Sequence, residues 1–242
     1  MTNAQPVSTQ TPRYEVKIPC EPHRLPQIQA IVRLHPIHWR VAYPPRQVNN
    51  VYFDTADYQS LNENLSGVGT RGKLRLRWYG SGLDTVAGAR LELKYREGAV
   101  GWKGIWPLDI TLDLALKSWP EVCQSIREAA DARASSWLAQ FSYPVLINHY
   151  QRAYYVTTDQ KVRLTIDTRL RAFDQRFSNR PNLRRPAVIA DRIVVELKAP
   201  TDRLSYQRLV EALAHFPLRP DRHSKYVRGM LAAPDFDGVE LL

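Results

Sequence analysis

An α+β fold, with strands closing a β-barrel around a basic lumen and helices packed outside it, follows from three features of the sequence. Five short segments alternate charged and apolar residues with period two, the charged positions are rich in Arg and Lys, and stretches of helical apolar spacing lie between the groups of strands. Period two marks a β-strand, whose successive side chains point to opposite faces of a sheet. The interleaved Leu, Val, Ile and Tyr are buried on one face, so the charges share the other. One such strand reads as a solvated sheet face. Five of them, with carboxylates appearing singly among Arg and Lys, read as the lining of a closed barrel whose apolar exterior is covered by helices. A lumen of that kind suits a polyanion, and its few carboxylates suit a divalent cation.

The elements follow in order. Residues 1–12 read as a disordered tail, and RYEVKI, with Glu15 and Lys17 on one face, is the first strand. Leu25, Ile28, Ile31 and Val32 repeat at helical spacing within 22–34, and QVNNVYFD at 47–54 reads as a strand ending in a polar turn over 55–58. LNENLSGVG is a glycine-rich link to the basic strand 73–79, which carries Lys73, Arg75 and Arg77. Gly80 and Gly82 precede a strand over 90–96 with Arg90, Glu92 and Lys94, and another glycine loop leads to a strand over 103–110. The pattern is helical from 118 to 141, with Val122, Ile126, Ala129, Ala130 and Trp137 apolar. Strands at 145–156 and 161–173 flank the TTDQ turn, which predicts a hairpin; the second carries Arg163, Thr165 and Asp167. Residues 174–190, rich in Arg and Pro, read as a mobile loop. A strand at 192–198 carries Glu196 and Lys198, and helices at 205–215 and 225–233 follow, separated by Pro217 and Pro220. The expected organisation is a single domain over 13–235 with a short tail at 236–242.

Among 242 residues, 44% hydrophobic content is ample for a core, and 34 Lys plus Arg against 24 Asp plus Glu give a net charge of +10. A nucleic acid, an anionic membrane or a phosphorylated small molecule is the natural partner class. Cys20 and Cys123 are too few and too separated for a disulfide framework or a thiolate metal site, which points to a reducing compartment. The start of the chain has neither a basic segment nor an apolar run, so a soluble cytoplasmic protein is expected.

Several motif matches fail on context. Gly67, Gly69 and Gly72 fit GxGxxG, and Gly67, Gly72 and Lys73 nearly fit a P-loop, but either motif must open a helix and the following residues alternate as a strand. His35 and His38 lack a third ligand nearby. Ser224 and Lys225 at the start of the last helix read as a phosphate-binding pair rather than a nucleophile and its partner. Nucleic-acid binding calls for aromatics on the basic face, yet Trp78 shares parity with Leu74 and Leu76, and Tyr95 with Leu91 and Leu93.

Glu15 and Lys17, Arg75 and Arg77, Lys94, Tyr150 and Arg152 in NHYQRAYY, Arg163, Glu196 in VVELK, and Ser224 with Lys225 in RHSKYVRGM together resemble the VTC-type polyphosphate polymerase domain of the triphosphate tunnel metalloenzyme (CYTH-like) superfamily. The resemblance runs in order from about residue 13 to residue 231. It implies an antiparallel eight-stranded β-barrel, the triphosphate tunnel, in which the γ-phosphate of ATP is transferred to a growing inorganic polyphosphate chain with Mn2+ or Mg2+. By that resemblance Lys17, Arg75, Arg77, Lys94, Arg152, Arg163 and Lys225 grip phosphoryl oxygens, Lys103 and Lys198 join them, and Tyr150 and Ser224 add hydrogen bonds. Glu196, with Glu15, would ligate the metal. A membrane partner that receives the polymer, and hence a place at a membrane periphery, is implied by the family alone.

One departure bears on the reaction. Hydrolytic members carry a first-strand Glu-x-Glu-x-Lys, and Arg13 stands here where the first Glu would be, which weakens a water-activating two-metal site. Glu92 and Asp167, with lumen parity, are further candidate ligands. A triphosphatase of the same fold and a non-catalytic polyphosphate-binding module are the alternatives.

Overall fold

A computed structural model of the chain describes residues 13–97 and 100–232, so the tails expected at 1–12 and 236–242 lie outside the described residues. β1 (Arg13–Cys20) leads through a 3-10 turn (Pro22–Arg24) into α1 (Leu25–Leu34), β2 (Arg40–Asp54) and α2 (Gln59–Ser66). Next come β3 (Arg71–Tyr79), β4 (Thr85–Ala87), β5 (Arg90–Glu97), β6 (Val100–Pro107) and β7 (Thr111–Asp113). The helices α3 (Trp119–Ala129) and α4 (Ala132–Gln140) precede β8 (Tyr143–Val156), β9 (Arg163–Asp174) and β10 (Ile193–Pro200), and α5 (Arg203–Ala214) and α6 (Lys225–Leu231) follow.

Eight strands make one antiparallel sheet in the order β1-β10-β9-β8-β2-β3-β5-β6, and β4 pairs with β7 apart from it. The sheet curls into a half-barrel that brings its two ends together. Lys94 on β5 reaches Glu15 on β1 at 3.5 Å, so the seam is bridged by side chains, and no β1–β6 ladder occurs among the described residues.

The apolar face is convex and lies under two helical layers, because the period-two strands leave their Leu, Ile and Val nowhere else to be buried. Leu74, Leu76 and Trp78 of β3 and Leu91 and Leu93 of β5 pack with Trp119, Val122 and Ile126 of α3 and Leu138 of α4. Tyr95 packs on the same cluster, so Trp78 and Tyr95 sit on the face their parity predicted. Ile18 of β1, Leu164 and Ile166 of β9 and Val195 and Leu197 of β10 pack with Ile28 and Val32 of α1 and Leu209 and Ala212 of α5.

Several details add to or depart from the sequence reading, among them a β2 that begins at Arg40 rather than at 47. The helical stretch over 118–141 is two helices, because Asp131 caps a new one by accepting the Ala134 N–H at 2.7 Å after Ala130 turns extended. Part of the glycine-rich link is α2: the Asp54 carboxylate at the end of β2 accepts the N–H groups of Ser60 (2.8 Å) and Leu61 (3.2 Å), and Gly67 ends the helix at φ 68°. Residues 175–192 form no regular element, yet they are fastened by Asn182 N–H to Gln175 Oε1 (2.7 Å) and Ala187 N–H to the Ala172 carbonyl (2.8 Å). Finally, α6 packs on the concave side, against Tyr52, Leu146 and Ala172. Gly229 permits that approach, since a Cβ there would lie 2.6 Å from Leu146 Cδ2, and the Tyr226 hydroxyl donates to the same Asp54 carboxylate that caps α2.

Candidate functional site

Ladder register turns the period-two pattern into rows across the concave face. Lys17 lies opposite Glu196, Glu15 opposite Lys198, and Lys198 opposite Arg163. Arg152 lies between Arg46 and Asp167, Arg75 between Tyr52 and Glu92, and Lys94 between Lys73 and Lys103. α6 then adds Lys225 from above.

Two carboxylates anchor the cations. Glu92, 1% exposed, accepts Arg75 Nε (2.9 Å) and Nη2 (2.5 Å) and Arg90 Nε (2.7 Å), with Lys103 Nζ at 3.0 Å and Arg77 Nη1 at 3.7 Å. Burial alone would raise its pKa, but Arg75, then Arg77, Lys103 and Arg90, hold it far below the usual carboxylate range. Arg75 also donates to the Tyr52 hydroxyl at 3.2 Å. Arg77 donates to Asn50 Oδ1 (2.8 Å) and the Tyr150 hydroxyl (3.2 Å), and Asn50 is itself fixed by Asn148 at 2.8 Å. Burial, reinforced by Arg75 and Arg77 and opposed by Glu92, lowers Lys103 to about 7.

Asp167, also 1% exposed, takes a two-pronged bond from Arg152 (2.5 and 2.6 Å) and one from Lys225 Nζ (2.6 Å). Nearby, Glu196 pairs with Lys198 at 3.0 Å and Arg152 at 3.7 Å, and Glu15 with Lys17 at 3.1 Å. Burial opposes ionisation of each of these carboxylates. The surrounding cations, Arg152 first for Asp167, Lys198 first for Glu196 and Lys94 first for Glu15, still hold all three below their ordinary values.

Lys73 is different. Its Nζ donates to Ser224 Oγ at 3.2 Å, and no carboxylate lies within ion-pair distance of it among the described residues. Burial first, then Lys94, Lys17, Arg71 and Arg75, lowers it to about 7. A half-buried ammonium among other cations, with no counter-ion among the described residues, is a ready site for an anion.

Lys17, Arg75, Arg77, Lys94, Lys103, Tyr150, Arg152, Glu15, Glu196, Lys198, Ser224 and Lys225 therefore converge on one concave surface. Arg163 joins no ion pair or side-chain hydrogen bond of this network among the described residues; it is exposed at the start of β9, beside Lys198. Sequence reasoning passed over Lys73 and Arg90 as site residues although period two put them on the right face. Asn50 and Tyr52, which orient Arg77 and Arg75, carried no signal, since an uncharged polar residue in a strand looks the same whether it faces solvent or a guanidinium. Tyr79, Tyr150 and Tyr154 also reach the basic face, so the parity of Trp78 and Tyr95 understated its aromatic content.

A divalent cation fits the carboxylates only in company with a substrate. Glu196 lies close enough to Glu15 to oppose its ionisation, and the two offer the oxygen donors that Mg2+ and Mn2+ prefer. No group of three His, Cys, Asp or Glu able to hold an ion occurs among the described residues, so phosphate oxygens would complete the coordination.

Among solved structures, a candidate adenylate cyclase from Vibrio parahaemolyticus superposes with a TM-score of 0.50 at 12% identity, covering 92% of this chain and 99% of that one. That likeness shows the tunnel fold. The PH1819 protein of Pyrococcus horikoshii gives a TM-score of 0.46 at 12% identity, covering 90% of this chain and 98% of its own. No curated relative matches the chain significantly. The sequence pattern of the VTC domain matches residues 12–233, which takes in every strand of the curled sheet and the helix that carries Ser224 and Lys225 to it, and the chain belongs to the VTC domain family.

Proposed function

We propose that the chain is a metal-dependent polyphosphate polymerase that transfers the γ-phosphate of ATP to a growing inorganic polyphosphate chain inside the tunnel. Family and fold support a role with triphosphate or polyphosphate and phosphoryl-transfer chemistry. The observation that favours a phosphate acceptor over water is the state of the carboxylates. Glu15, Glu92, Asp167 and Glu196 are each ion-paired and each held below the ordinary pKa. Water must lose a proton to attack, and a carboxylate of low pKa is a poor base. The terminal phosphate of a polyphosphate chain already carries its charge and needs no base. Its oxygen forms the new P–O bond as the bond from the γ-phosphorus to the β–γ bridging oxygen breaks and ADP departs.

The cations perform the rest. Phosphoryl transfer asks for in-line positioning and neutralisation of the equatorial oxygens, which Arg forks and Lys point charges provide. In this reading Arg75, Arg77 and Arg152 grip by pairs of N–H groups, while Lys17, Lys94, Lys103, Lys198 and Lys225 supply point charge. Tyr150 and Ser224 donate hydrogen bonds, and Arg163 draws the polymer to the rim. Glu15 and Glu196 would hold Mn2+ or Mg2+, which would neutralise charge on the transferred group.

The test is incubation of the purified protein with ATP and Mn2+, with products resolved on a polyacrylamide gel stained for polyphosphate and free phosphate measured in parallel. A ladder of chains with matching ADP is expected. Free phosphate without chains would replace the polymerase with a triphosphatase, and neither product would leave a binding module.

A further inference from the structure

The cation rows end in an aromatic cluster that phosphate chemistry does not use. The Arg46 guanidinium lies 3.9 Å from the Tyr79 ring centroid, 5.0 Å from Tyr154 and 5.7 Å from Tyr43, and its Nε donates to the Tyr154 hydroxyl at 3.2 Å. Tyr43 meets Tyr154 edge-on, with centroids 5.7 Å apart, and is 59% exposed. These residues continue the tunnel lining. Arg46 pairs in register with Arg152, Tyr79 stands two residues beyond Arg77, and Tyr154 two beyond Arg152. Two residues along a strand span about 7 Å, a distance that the ribose of a nucleotide bridges between its phosphates and its base. Tyr79 is tied directly to the phosphate grip, since its hydroxyl accepts Arg90 Nη2 at 2.6 Å and Arg90 in turn holds Glu92.

The local chain is built to present this cluster. Register shifts between Val41, Tyr43 and Arg46 accommodate Pro44 and Pro45, and such irregularities re-aim side chains. Here they direct both Tyr43 and Arg46 toward Tyr154. Tyr43 and Arg46 are exposed and Tyr79 and Tyr154 half-buried beside a run of cations, and aromatic rings with a guanidinium plane are what a base recognises.

We propose that Arg46, Tyr79 and Tyr154, edged by Tyr43, form the base-binding platform for the nucleoside triphosphate whose phosphates enter the tunnel. This rests on the polymerase reading and adds its donor specificity. Stacking uses the π-face that every base has, so the platform selects nucleoside triphosphates over inorganic tripolyphosphate and discriminates little between ATP and GTP.

The experiment is calorimetric titration of the full chain with ATP, GTP and inorganic tripolyphosphate, for the wild type, Tyr154→Leu, and Arg46→Lys, which keeps charge but loses the planar fork. The expected result is a loss of ATP and GTP affinity of about tenfold in each variant, with tripolyphosphate affinity within about twofold of wild type. Equal losses for all three ligands would reduce the cluster to a structural element and overturn the proposal, as would no change for any. Tripolyphosphate binding to wild type, with no contribution from the nucleoside, would leave the tunnel reading intact and sink only the platform. Absence of tripolyphosphate binding to wild type would sink both.

Discussion

Replacing Lys73 with Met removes an ammonium of the basic face that has no counter-ion among the described residues. Its pKa stands at about 7 against an ordinary 10.5, with burial the largest cause and Lys94, Lys17, Arg71 and Arg75 following. The unfolded chain then binds the proton more readily than the folded one, so the wild type gains stability as pH rises from about 7 toward 10.5. Linkage puts the cost of carrying Lys73 at roughly 5 kcal/mol at pH 6 and roughly 2 kcal/mol at pH 9. Water reaches the partly exposed side chain, and screening brings these to about 2 and about 1 kcal/mol. Lys73→Met is therefore expected to melt about 4–8 °C above wild type at pH 6, with the gap closing as pH rises. Thermal melts at several pH values read this directly. A variant less stable than wild type at pH 6, or a gap indifferent to pH, would refute the reasoning. Binding supplies the complementary test: a polyanion raises the pKa of Lys73, so tripolyphosphate should bring a proton with it near pH 7.5, and its affinity should fall as pH rises through 7. Titration in two buffers of different ionisation enthalpy measures that uptake, which Lys73→Met should diminish while weakening binding.

Glu196→Gln is expected to abolish ATP turnover while leaving polyphosphate affinity largely intact, and equal loss of both in parallel turnover and binding assays would count against its metal role. Glu92→Gln should destabilise the free protein by about 3–5 kcal/mol at pH 7, because it strands the cations around Arg75. Since the Glu92 pKa is depressed, the stabilisation it provides is present above about pH 4.5 and fades as pH falls, so the wild-type advantage in denaturant melts should shrink toward acid. Tripolyphosphate should raise the melting temperature of Glu92→Gln more than that of wild type. Gly229→Val should cost about 1–3 kcal/mol through collision with Leu146, and, by displacing Lys225 and Ser224, lower tripolyphosphate affinity at temperatures where the variant remains folded.

What the sequence disclosed and what it withheld divide along a physical line. Alternation in KLRLRW and RLELKY fixes which side of a strand each residue occupies, so the basic face and the covered face were both legible, as was the resemblance built on Arg75, Arg77, Lys94 and Arg152. Alternation is silent on register. That Arg75 meets Glu92 and Arg152 meets Asp167 depends on how strands far apart in the chain align. The start of β2 was hidden because Pro44 and Pro45 interrupt its ladder, and α2 because only Leu61 and Leu65 of its eight residues are strongly apolar. The placement of α6 on the concave side depends on Gly229 and on a carboxylate, Asp54, 172 residues from its partner Tyr226.

The carboxylates on the basic face offset the repulsion among its cations. Cations packed this closely repel one another, and a lumen of Arg and Lys alone would spread the sheet. Glu92, Asp167, Glu196 and Glu15 prevent that by occupying, one by one, positions among the cations where anionic oxygens are held. Arg75 and Arg152 each present two N–H groups to a carboxylate in the geometry they would present to a phosphoryl group. In the polymerase reading, an entering phosphate would compete with a resident carboxylate for an oriented fork. At Lys73 it meets an ammonium with no carboxylate within ion-pair distance among the described residues, and there the free protein bears an electrostatic cost that an anion would relieve.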